Sequence, residues 1–140
     1  MHSSIPKIKY KGRKPLGYTR KRDEEQMQIA LMHWASYHPI CKDYLFHVPN
    51  ERKCSISEGV RQKALGLRAG VSDLFLAWPT KRFPGLWIEL KVNDNKLTKM
   101  QVVWLELMEK AGYATAVVYD DWEKVKLLIE QYLDDSFEMP

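Results

Sequence analysis

Two carboxylates and a lysine stand at a spacing that could hydrolyse a phosphodiester. Gly70-Val71-Ser72-Asp73 is followed sixteen residues after Asp73 by Glu89-Leu90-Lys91, with a Pro/Gly-rich turn between them. Alternate residues of a strand point to opposite faces. In Trp87-Ile88-Glu89-Leu90-Lys91-Val92, the apolar Ile88, Leu90 and Val92 are therefore expected to pack inward, while Glu89 and Lys91 share the other face. An aspartate at the start of a neighbouring strand would bring two hard oxygen ligands and one cation to a single place. Asp73 and Glu89, with the backbone carbonyl of Leu90, suit Mg²⁺ or Mn²⁺, because such ions prefer carboxylates, carbonyls and water. Lys91 is a compact cation able to support an attacking hydroxide and the growing phosphorane charge.

These side chains need elements to hold them. An amphipathic helix is expected from residue 23 to about 37, with Met27, Ile29, Ala30, Leu31 and Trp34 as its apolar stripe and Asp23 as cap. A short strand follows over about 44–48. Ser55-Ile56-Ser57-Glu58 has the form of a capping box opening a helix that ends near Gly66. Strands are expected over about 72–78 and 86–92, joined by the hairpin-type connection 79–85 and carrying Trp78 and Trp87 as a cross-strand pair. Thr98 and Gln101 form a second capping box, starting a helix to about Lys110 with Val102, Val103, Leu105 and Met108 available to the core. A strand over 113–119 and a helix from Asp121 to about Leu133 complete the order α-β-α-β-β-α-β-α. The fold class read from this order is mixed α/β, a single sheet flanked by helices.

At 140 residues the chain is long enough for one well-filled core. No apolar run reaches the ~20 residues of a membrane span, and the start of the chain lacks a signal-peptide core. Cys41 and Cys54 have neither metal-ligand spacing nor disulfide-scaffold density and read as reduced thiols of a cytoplasmic protein that is not secreted. The net charge of +4 hides an asymmetry: residues 1–22 hold eight bases and no acid, whereas the rest holds fourteen bases and all eighteen acids. A basic arm over 1–22 on a mildly acidic body over 23–140 suits contact with a phosphate backbone. Asn50, Arg52, Lys53, Arg61, Lys63 and Arg68 cluster ahead of Asp73, as a substrate-facing basic segment would. The four histidines show no ligand spacing.

Taken in order, these motifs resemble the PD-(D/E)xK nuclease superfamily and, within it, the stand-alone VRR-NUC family. Besides the two motifs above, the resemblance rests on Glu24-xxx-Gln28, Val48-Pro49-Asn50-Glu51, Gly66-Leu67-Arg68-Ala69-Gly70, Lys96-Leu97-Thr98-Lys99-Met100-Gln101, Ala111-Gly112-Tyr113 and Tyr132-Leu133. Ser72 departs from the proline in the superfamily's name, which removes turn rigidity but no ligand. The resemblance implies a restriction-endonuclease-like core and a metal-dependent DNA endonuclease using Mg²⁺ or Mn²⁺. It adds Glu24 as an acid near the metal, with Glu25 as a rival for the position, and Gln101 as a residue that positions water or phosphate. It also adds Lys96 and Lys99 as nucleic-acid contacts. It further implies branched DNA such as a four-way junction as substrate, a homodimer, no membrane, and a bacterial or phage-infected cell. The rival readings are a non-catalytic nucleic-acid-binding module of the same fold and a sequence-specific restriction-type nuclease.

Overall fold

Leu86, Ile88 and Leu90 alternate along β3 (Leu86–Lys91), and all three are buried. Burying each such side chain contributes about 2 kcal/mol relative to exposure. They pack beside Leu74 and Leu76 of β2 (Leu74–Leu76), Leu45 of β1 (Leu45–His47), and Ala114, Ala116 and Val118 of β4 (Ala114–Tyr119). The computed structural model describes residues 20–49 and 55–139, with side chains from residue 23 onward. The basic arm therefore lies outside the described residues except for the backbone of 20–22, and Asn50, Arg52, Lys53 and Cys54 lie outside them as well.

The sheet runs β1-β2-β3-β4, antiparallel across the first two pairings and parallel between β3 and β4. Its apolar face packs on α1 (Arg20–Ala35) and α5 (Trp122–Leu133), through Met27, Leu31 and Ala35 from the first and Val125, Ile129 and Tyr132 from the second. The stripe on α1 has a strict spacing of four, so Ile29, counted in the expected stripe, points outward at 68% exposure. The helix also begins at Arg20, three residues inside the basic segment.

The element order is the expected one with a single addition, the four-residue α2 (Cys41–Tyr44). His38 explains it: its Nδ1 accepts from the backbone N–H of both Ile40 and Cys41, at 3.1 Å each, and so caps the turn. The thiol of Cys41 is buried, and that burial pushes it up to about 11, so it stays protonated. The β2 strand is shorter than expected, leaving Ser72 and Asp73 in the turn before it. The register sets Phe75, not Trp78, opposite Trp87, with ring centroids 4.3 Å apart; Trp78 packs edge-on to Tyr44 instead.

Helix α3 (Ile56–Ala64) is capped by Ser55 Oγ, which accepts from the Glu58 N–H, while the Glu58 carboxylate bonds Arg61 and Gln62. It buries no residue, and Ile56 is 89% exposed. Helix α4 (Lys99–Lys110) crosses the polar face of the sheet between β3 and β4. Of its four expected core residues only Leu105 is buried and Met108 half-buried; Val102 and Val103 face outward. The side chain that packs on the sheet is Trp104, perpendicular to Trp87 at 5.1 Å. Among the described residues no helix is long and apolar enough to cross a membrane.

Tyr132 ties α5 to the β2–β3 connection. It is buried, and its hydroxyl donates to the Trp78 carbonyl at 2.7 Å. Tyr132→Phe leaves the packing and removes that donor, so stability falls by about 1 kcal/mol. The measurement is a lower urea midpoint with an unchanged slope.

Candidate active site

Gly70 places the aspartate. Its φ of +84° lies in the left-handed region, and a Cβ there would come within 2.4 Å of the Met100 backbone. Only glycine lets the chain pass this close to the start of α4. Ser72 follows, fully buried with its hydroxyl unpartnered, and Asp73 comes one residue before β2. Extending the Leu74–Ile88 register by one step sets Asp73 opposite Glu89. The Leu90 N–H donates to Asp73 Oδ2 at 2.8 Å. The N–H and C=O of one strand residue point the same way, so the Leu90 carbonyl also opens on the Asp73 side.

Glu89 and Lys91 share the second face of β3, as alternation requires, but that face is buried too: they are only 2% and 4% exposed. Lys91 Nζ stands 4.0 Å from Glu89 Oε1. The same carboxylate oxygen accepts from Gln101 Nε2 at 2.9 Å. Gln101 meanwhile completes the capping box of α4: its Oε1 accepts from the Thr98 N–H at 2.9 Å, and its N–H donates to Thr98 Oγ1. The two ends of one amide thus cap the helix and hold the carboxylate at the same time. Glu89 Oε2 is buried with no hydrogen-bond partner.

The described carboxylates outnumber the ammonium beside them. With all three groups ionised, Asp73, Glu89 and Lys91 sum to −1, and Glu89 and Lys91 are buried, where charge is costly. Burial and the neighbouring Asp73 carboxylate push Glu89 up to about 9, against the pull of Lys91. Burial also raises Asp73, opposed first by the Leu90 N–H. The two carboxyl groups therefore share a proton unless a cation takes its place. Among the described residues no three His, Cys, Asp or Glu side chains converge as a ready-made metal cluster. A small hard cation needs no such cage, since Mg²⁺ is held by one or two carboxylates with water and substrate phosphate. The unpartnered Glu89 oxygen, the paired carboxylates and the Leu90 carbonyl fit that mode of binding.

Glu24 on α1 is half-buried, and its charge is felt at Glu89, whereas Glu25 is exposed. Of the two, the charge that reaches Glu89 is that of Glu24. Its carboxylate accepts from Asn95 Nδ2 at 3.3 Å, a partner that read in sequence only as part of a polar loop. His47 was missed as well. Its Nδ1 lies 3.0 Å from the Asp73 carbonyl oxygen, and because a carbonyl only accepts, the ring must donate from Nδ1. No spacing motif in the sequence joins His47 to Asp73; the β1–β2 pairing does.

The expected nucleic-acid contacts divide. Lys96 and Lys99 are exposed at the N-terminal end of α4, beside Gln101. Arg68 lies over the Trp104 ring at 5.7 Å. Arg61 pairs with Glu58 on α3, where Lys63 is also exposed.

The profile of the VRR-NUC domain family matches residues 15–122 of the chain. A solved structure of a VRR-NUC domain protein superposes with a TM-score of 0.68 at 25% sequence identity, covering 83% of this chain and 95% of that one. No curated protein matches the sequence.

Because Glu89 has its folded value raised from an ordinary 4.5 to about 9, the metal-free folded protein holds a proton that the unfolded chain has released. Stability from this group is complete below about pH 4.5 and is lost as pH rises toward 9. Urea midpoints in EDTA are expected to fall across that window, and Glu89→Gln is expected to flatten the decline. Gly70→Ala forces both a strained φ and a clash with α4, and costs about 2–4 kcal/mol, read as a lowered unfolding midpoint.

Proposed function

This chain belongs to the VRR-NUC domain family, a family of nuclease-type domains, and from that premise we propose a divalent-metal-dependent endonuclease that hydrolyses phosphodiester bonds of DNA. The observation that carries the proposal is the pairing of half-buried Asp73 with buried Glu89 beside Lys91, with one Glu89 oxygen unpartnered. A merely structural pair has no reason to keep two carboxylates against one ammonium out of water.

Asp73, Glu89 and the Leu90 carbonyl would hold Mg²⁺ or Mn²⁺, with Glu24 beside them. The ion would supply Lewis-acid polarisation of the scissile phosphate and acidify the attacking water. The chain's own residues do the rest. Gln101 and the Leu90 N–H fix the two carboxylates, so little reorganisation remains when substrate arrives. Lys91, already within 4.0 Å of Glu89, supports the nucleophile and offsets the charge that builds on the phosphate oxygens. Lys96, Lys99 and Arg68, together with the basic arm over 1–22, supply sequence-independent phosphate contacts, and affinity falls steeply with salt.

The substrate we favour is branched DNA, a four-way junction above all, cut by a homodimer in the cytoplasm. One chain carries one such centre, and symmetric incision of two strands requires two copies.

The test is cleavage of matched duplex, single-stranded, flap and four-way-junction DNA with Mg²⁺ and then Mn²⁺, wild type beside Lys91→Ala. Metal-dependent cutting is expected, reduced at least ~100-fold in the variant and fastest on the junction. Binding without cutting on every substrate would replace this reading with a non-catalytic binding module.

A further inference from the structure

Glu24 accepts from a neutral amide beside the acidic centre. It stands close enough to Glu89 for the two charges to be felt, and Asp73 adds a third acid to the same neighbourhood. The Asn95 Nδ2 donor, 3.3 Å from Glu24 Oε1, fixes the direction of this carboxylate.

The donor is itself fixed. Asn95 lies in the β3–α4 connection, where its N–H returns to the Val92 carbonyl at 3.2 Å. Two residues earlier Asn93 adopts φ +56° and donates its N–H to Asp120 Oδ1. The turn leaving β3 is thus clamped to the end of β4 on one side and to α1 on the other. The chemistry of the donor matters equally. A lysine here, such as the neighbouring Lys96 could supply, would hold Glu24 by neutralising it. A carboxamide carries no net charge, so it orients the carboxylate and leaves its charge available to a cation.

We propose that Asn95 is a positioning residue that holds Glu24 toward the Asp73–Glu89 centre, so that Glu24 strengthens divalent-cation binding there. This rests on the metal-dependent reading above. Outer partners of this kind typically affect metal affinity by about 10–100-fold.

The experiment measures Mn²⁺ binding by titration calorimetry without DNA, on the wild type, Asn95→Ala, Asn95→Asp, Glu24→Gln and Glu24→Gln/Asn95→Ala, with thermal unfolding of each in EDTA. The expected result is a roughly 10-fold weaker Mn²⁺ affinity in Asn95→Ala, with little change in unfolding temperature and no further loss when it is added to Glu24→Gln. Asn95→Asp, which repels Glu24 rather than holding it, should bind no better than Asn95→Ala. If Asn95→Asp instead binds more tightly than wild type, Asn95 acts as a direct ligand position and the proposal fails. Additive losses in the double variant overturn it too, because Asn95 would then act independently of Glu24, as would wild-type affinity in Asn95→Ala. Absence of Mn²⁺ binding by the wild type overturns the metal-dependent reading itself, and this inference with it.

Discussion

The polar half of this molecule depends on one electrostatic constraint: among the described residues, a buried Glu89 and a half-buried Asp73 face one buried ammonium, that of Lys91. The pocket closes over Glu89 and Lys91 almost completely, so water cannot screen the surplus. The metal-free protein balances it with a proton on the carboxyl pair. A hard cation satisfies the same requirement while leaving both carboxylates ionised. On the proposed reading, the proton and the cation answer the same electrostatic requirement.

Holding such a group of acids needs rigid neighbours, and the fold draws them from three directions. The Leu90 N–H reaches Asp73 from within the sheet, Gln101 reaches Glu89 from α4, and Asn95 reaches Glu24 from the turn between them. Gly70 lets α4 come close enough for this to work. Gln101 is the most economical of these parts. As the third residue of its helix it must turn back to the N-cap, and that turn aims its amide nitrogen at the strand. Capping and carboxylate orientation are not alternatives for this residue but a single conformation.

The opposite face of the sheet is simpler. Its leucines, isoleucines and valines pack on α1 and α5 as one apolar cluster, which gives the polar face a firm base. The exception to ordinary packing is α3, whose half-buried residues Glu58 and Gln62 are polar while Ile56 and Val60 lie open.

Much of this was legible in the chain. The Ser55 cap, the Thr98–Gln101 box and the alternation in 86–91 follow from local chemistry, because caps and strand periodicity act over only a few residues, and the expected hairpin is what brings Asp73 beside Glu89. The tertiary structure alone decided the rest. Hydrophobic patterning around Glu89 and Lys91 separates two faces but cannot say that α4 and its neighbours bury the charged one. The outward turn of Ile29 and Val103 and the exchange of Trp78 for Phe75 opposite Trp87 depend on which elements meet and in what register. His47 reaches Asp73 across 26 residues, and Asn95 reaches Glu24 across 71. No spacing rule spans such distances, because contacts of that length exist only once the sheet and helices have closed around them.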